Sequence, residues 1–266
     1  MKEHLHHNHL CHINYAEGPN KGTPLLLLHG ATHRWQSFTS ITPELSTCFH
    51  LYAPDFRGHG NSQKIQGHYF LEDYLGDIQT FIQEVIKEPI ILIGHSLGAM
   101  IGSMLAASQS LLVKGLILID PPLNLDGLRQ LTLGFKDQIN LLVQGLRLSK
   151  WGLPIHQFIP EQVRHCDPEM LFAMTHEFDE VFKLYDADAL FKKIKHPTLL
   201  LYGNPAHGSL VTAGDITKLL TIKPDLLPVQ IQNAGHSPIC QDKEATLNAV
   251  MKFMEQEGLM PLKADS

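Results

Sequence analysis

The sequence predicts an α/β protein, with a mostly parallel central sheet flanked by helices and a helical block inserted between its strands. Three observations predict it. Short apolar runs alternate with amphipathic stretches along the chain. The runs are continuously apolar, which marks strands covered on both faces. Residues 121–195 contain no such run and read as helical throughout.

The runs come in order. Pro24–Leu28 ends at His29-Gly30, Ile90–Ile93 at Gly94, and Gly115–Ile119 at Asp120 and a double proline. Thr198–Tyr202 ends at Gly203, and Val229–Ile231 leads into Asn233-Ala234-Gly235-His236. Between the first two runs, Leu71, Tyr74, Leu75, Ile78, Ile82, Val85 and Ile86 recur at helical spacing, a stripe suited to packing on a sheet. Strand–helix alternation of this kind gives a doubly wound sheet. Residues 1–120 and 196–266 therefore form the expected core. Residues 121–195 are too many for a simple connection and read as a helical cap. Its leucines and aromatics, Trp151 and Phe158 among them, are candidates for lining an apolar pocket.

Composition narrows the class. The 266 residues are 44% hydrophobic and 18% charged, in or near the globular range. The net charge of −6 comes from interspersed acids and bases, so no nucleic-acid or anionic-membrane surface is expected. No apolar run has the length of a membrane helix. The four cysteines, Cys11, Cys48, Cys166 and Cys240, lie far apart without metal-ligand spacing. With a polar amino-terminus lacking an apolar signal core, they point to a reducing cytoplasm. Seventeen histidines are many, and His4, His6, His7, His9 and His12 crowd the start. A metal site there would need carboxylates at ligand spacing, which are missing, so a solvated strand is the simpler reading.

The most informative stretch is Gly94-His95-Ser96-Leu97-Gly98, between an apolar strand and a helix rich in small residues. G-x-S-x-G alone is a weak pattern, since a tight strand–helix turn can carry an idle serine. In this context it describes a sharp turn that exposes a strained serine at a helix amino-terminus. His29-Gly30-Ala31, after an earlier strand, can aim the Ala31 N–H at a developing oxyanion, although it also fits an ordinary strand end. The Leu97 N–H is the second candidate donor. His236, on the loop after the last strand, is the candidate general base.

These motifs resemble the α/β-hydrolase superfamily. The resemblance runs from about Pro24 to Phe253. It rests on His29-Gly30, Asp55-Phe-Arg57-Gly58-His59-Gly60-Asn-Ser62, Gly94-His95-Ser96-Leu97-Gly98 and Gly235-His236. It implies an α/β-hydrolase fold with an inserted cap, a capped serine esterase acting on a small molecule, and no metal or organic cofactor. It makes Asp55 and Arg57 structural. Serine at the elbow disfavours haloalkane dehalogenases and epoxide hydrolases, which use a carboxylate there.

One departure matters. Such relatives usually carry the triad acid in a Gly-x-x-Asp turn after the seventh strand. Here that turn reads Gly203-Asn204-Pro205-Ala206-His207-Gly208. Asp120, at the end of the sixth strand, is the candidate acid, because some relatives draw it from that position. Asn204, Asp215 and a degraded triad remain alternatives. The expected reaction is hydrolysis of a small or medium carboxylic ester through a Ser96 acyl-enzyme. A carbon–carbon bond hydrolase or lactonase, a non-enzymatic small-molecule receptor and a cofactor-free oxygenase are the rivals.

Overall fold

A computed structural model describes residues 1–261. Eight strands build one sheet: β1 (Lys2–His7), β2 (His12–Glu17), β3 (Pro24–Leu28), β4 (His50–Pro54), β5 (Ile90–His95), β6 (Val113–Ile119), β7 (Thr198–Tyr202) and β8 (Leu227–Gln230). Their order is β1-β2-β4-β3-β5-β6-β7-β8. The first two pairings, β1 with β2 and β2 with β4, are antiparallel, and the rest are parallel.

The continuous apolar runs have the expected cause. Leu26, Leu28, Leu92, Leu116, Leu118 and Leu200 point into one hydrophobic layer. Their neighbours Leu25, Leu27, Ile91, Ile93, Ile117 and Leu201 point into the other. Each face needs apolar cover, so neither can alternate with polar residues.

Helices supply that cover. They are α1 (Thr42–Leu45), α2 (Leu71–Phe81), α3 (Leu97–Ser108), α4 (Leu125–Gly134), α5 (Lys136–Lys150), α6 (Glu161–Arg164), α7 (Pro168–His176), α8 (Phe178–Val181), α9 (Ala187–Lys193), α10 (Ala213–Ile222), α11 (Pro238–Gln241) and α12 (Lys243–Gln256). The stripe from Leu71 is helical as expected, but its last residues, Ile82–Ile86, form a π-helical turn. Lys87 then stops it with φ 60°. Helices α4 to α9 all lie between β6 and β7, and among the described residues that segment holds no strand. Val143, Leu146, Met170, Val181 and Phe191 from this block share the hydrophobic layer of α2 and α3.

Two expectations change. Val229–Ile231 was expected to be buried on both faces. Instead β8 is the last strand of the sheet, with β7 as its only neighbour, and Leu227–Gln230 are exposed or half-buried. Trp151 and Phe158 do not face inward: they are 80% and 79% exposed. The histidine-rich start is β1, an edge strand whose His6 reaches Glu84 at 2.8 Å and His4 reaches Glu17 at 3.6 Å.

Strand order reverses around β3, whose neighbours β4 and β5 follow it in sequence on opposite sides. The crevice beyond the carboxyl ends at such a point is where open α/β sheets bind ligands.

Candidate active site

Two adjacent strands deliver two of the functional candidates to one level. His95 pairs with Ile119 across β5 and β6. The next residues, Ser96 and Asp120, therefore leave the sheet side by side. The Ser96 N–H donates to the Ile119 carbonyl at 2.9 Å. Both residues have positive φ, 52° for Ser96 and 46° for Asp120, a costly conformation for non-glycine residues. Close packing holds the first of these turns. A Cβ on Gly98 would lie 2.1 Å from the Leu28 carbonyl oxygen, so only glycine lets α3 come this near β3.

His236 arrives from the loop after β8 and lies between these two side chains. Its Nδ1 is 2.7 Å from Asp120 Oδ2, and its Nε2 is 3.1 Å from Ser96 Oγ. A carboxylate accepts only, so the imidazole proton sits on Nδ1 and the Nε2 lone pair faces the hydroxyl.

Asp120 is fully buried, yet it is well supplied with donors. Oδ1 accepts from Ser209 Oγ at 2.5 Å and from the Gly203 N–H at 3.3 Å. Oδ2 accepts from the Leu210 N–H at 2.9 Å as well as from His236. The turn after β7 thus holds no carboxylate but surrounds one with hydrogen-bond donors. That turn also supports the histidine loop: a Cβ on Gly235 would lie 1.9 Å from the His207 carbonyl oxygen.

The other acid candidates lie elsewhere. Asn204 caps its own turn, accepting from the Ala206 N–H at 3.0 Å. Asp215 accepts from Thr212 at the start of α10, from its N–H at 2.8 Å and its hydroxyl at 2.7 Å.

Ala31 and Leu97 line the same cavity as Ser96. Among the described residues neither backbone N–H donates to a protein acceptor. His29 explains the first. Its Nε2 accepts from the Phe56 N–H at 3.0 Å, so its Nδ1–H donates to the Gly30 carbonyl at 2.8 Å. The His33 N–H donates to the same carbonyl at 3.2 Å. A trans peptide points its C=O and N–H in opposite directions, so fixing the Gly30 oxygen fixes where the Ala31 N–H points. Burial keeps His29 neutral by pushing its pKa well below the usual value.

Sequence reasoning missed three contributors. Ser209 and Leu210 had no signal except the missing carboxylate nearby. The third is His95, whose Nε2–H donates to the His236 backbone carbonyl at 2.7 Å. Burial, chiefly, pushes the His95 pKa down to about 3, so this ring stays a neutral donor. Asp55 and Arg57 are structural, as expected. Asp55 accepts from the Trp35 N–H and Asn14 Nδ2, both at 2.8 Å. Arg57 forms a two-pronged pair with buried Asp77, both contacts 2.6 Å.

The cavity beside Ser96 has a volume of about 230 Å³. Met100 of α3 lines it from the core, and Leu128, Ile139, Leu142, Met174 and Phe182 line it from the helical block. Among the described residues, no cluster of three or more His, Cys, Asp or Glu is arranged to hold a metal ion. Nor is any described helix long and apolar enough to cross a membrane.

A parallel sheet with a serine on a strained strand–helix turn and a histidine beside it defines a hydrolase of the α/β class. The chain belongs to the alpha/beta hydrolase family, whose model matches residues 25–246. It is similar to 2-(acetamidomethylene)succinate hydrolase of Mesorhizobium japonicum, 26% identical over 248 residues that span 88% of each chain. It is also similar to N-formylmaleamate deformylase of Pseudomonas putida, 24% identical over 91% of this chain and 92% of the relative. A solved hydrolase from Pseudomonas aeruginosa shares the fold, with TM-score 0.75, 18% identity and coverage of 95% and 98%.

Proposed function

We propose that this hydrolase cleaves a small or medium carboxylic ester through a covalent Ser96 intermediate. The observation that carries the reading is His236 held between Ser96 Oγ and Asp120 Oδ2 at 3.1 and 2.7 Å. His236 Nε2 takes the Ser96 proton as Oγ attacks the substrate carbonyl. Negative charge develops on the carbonyl oxygen between the Ala31 and Leu97 N–H groups, with the amino-terminus of α3 favouring it. Asp120 stabilises the imidazolium. His236 then protonates the leaving alkoxide, the acyl-enzyme forms, and water activated by His236 releases the acid. Residues 121–195 act as the cap, because side chains of α4, α5 and α7 close the cavity over Ser96.

A second reading keeps the machinery and changes the bond. The named relatives are a succinate-derivative hydrolase and a deformylase, which favours cleavage of an acyl bond other than an ester. A fluorophosphonate probe tests the nucleophile shared by both. It should label the protein once, and Ser96→Ala should abolish labelling. A panel of chromogenic esters and amides then separates the bond types. Saturable binding of these compounds without turnover or labelling would instead indicate a receptor.

A further inference from the structure

We infer that the cavity beside Ser96 is an acyl pocket selective for an uncharged, apolar acyl group of up to about eight carbon-sized units. The inference rests on the acyl-enzyme reading above and names its substrate class.

Position assigns the pocket to the acyl half. Its walls include Ser96, Ala31 and Leu97 but not His236. In acyl transfer the leaving group must stand where the histidine can protonate it, so the leaving group occupies the His236 side. The carbonyl carbon sits at Ser96 Oγ, and its oxygen faces the Ala31 and Leu97 amides. The remaining substituent, the acyl chain, then points toward Met100, Leu142 and Met174. The His236 side chain is 34% exposed, so the opposite side opens toward solvent.

Chemistry sets the class. Among the described residues, no Lys, Arg, His, Asp or Glu lines the cavity. The two threonines on the helical block's side of the cavity, half-buried Thr132 and buried Thr175, offer no free proton. Thr132 Oγ1 donates to the Leu128 carbonyl and Thr175 Oγ1 to the Leu171 carbonyl, both at 2.8 Å. The other hydroxyls on the wall belong to Ser96 and to Thr32, next to Ala31 at the reacting end. A carboxylate carried into this pocket would lose its hydration without gaining a cation or a free donor from the apolar walls. The restriction applies to the acyl half alone: in a deformylase such as the Pseudomonas putida relative the acyl group is formyl and the carboxylate-bearing maleamate is the leaving group. Size sets the limit: 230 Å³ holds about seven or eight groups the size of a water molecule.

Alkylboronic acids test this without requiring turnover. Boron accepts a lone pair from Ser96 Oγ, the serine proton passes to His236, and the alkyl chain occupies the acyl position. Inhibition constants should fall about fourfold per methylene, then level off or reverse by about eight carbons. 3-Carboxypropylboronic acid should bind about 100-fold more weakly than butylboronic acid. Met174→Trp should shorten the preferred chain. A flat chain-length series, or tighter binding of the carboxylated compound, overturns the acyl pocket, as does failure of all boronates on a protein whose Ser96 is labelled. Loss of Ser96 labelling itself, or equal boronate binding by Ser96→Ala, would instead overturn the hydrolase reading.

Discussion

The ends of β6 and β7 lie side by side and divide one task unequally. The β6 end contributes the charge, through buried Asp120. The β7 end contributes neutral groups: Ser209 Oγ and the N–H groups of Gly203 and Leu210, all directed at that charge. A buried carboxylate without partners would be costly. What the comparison teaches is that a loop without a carboxylate can still serve one, by supplying the hydrogen bonds that hold Asp120 in place.

The sharpest way to break this comparison is Asp120→Asn. It should lower kcat by on the order of 10²–10⁴-fold with little effect on folding, measured by turnover and thermal unfolding. Full activity would move the acid elsewhere. Ser209→Ala removes one bond to the carboxylate and should cost about tenfold in kcat, with KM unchanged. Asn204→Ala should cost less than about twofold, since its side chain touches neither Asp120 nor His236: it accepts from the Ala206 N–H and donates to the Gln232 carbonyl at 3.4 Å. If Asn204→Ala proved more damaging than Ser209→Ala, the proposed division of roles would be wrong.

A fourth prediction concerns pH, on the β5 side of the same edge. His95 stays neutral in the folded chain down to about pH 3, while an unfolded histidine gains its proton near pH 6.5. Its folded pKa is lowered, so its contribution is complete above about pH 6.5 and is lost as pH falls toward 3. His95→Gln should flatten the acid side of the stability curve by up to about 1.4 kcal/mol per pH unit in denaturant titrations. Because glutamine still donates a hydrogen bond, it should retain more activity than His95→Ala. Equal losses in both variants would assign His95 to packing alone. The smallest expected effect belongs to Trp151→Ala and Phe158→Ala, whose exposed side chains should leave chain-length preference unchanged.

The sequence made the sheet edge legible for a physical reason. Ser96 and Asp120 each follow a buried strand directly, so the strand's apolar run locates them, whereas His236 lies on the loop beyond half-buried β8 and is marked by Gly235-His236. The helical block was legible only as helical. Which of its many apolar residues face the cavity depends on how α4, α5 and α7 pack, and no period in the sequence distinguishes Leu142, on the cavity wall, from Leu141, 76% exposed. The same limit hid Ser209 and His95. A hydroxyl or imidazole that serves through a backbone carbonyl or a neighbour's carboxylate leaves no pattern along the chain.

The order in which the chain supplies these groups has a consequence for its synthesis. Ser96 and Asp120 emerge from the ribosome before the helical block, whereas Ser209 and His236 follow it. A nascent chain that has made β5 and β6 holds Ser96 and Asp120 without the hydroxyl of Ser209 or the imidazole of His236. Under the proposed mechanism, Ser96 therefore gains its base only once β7 and β8 have joined the sheet.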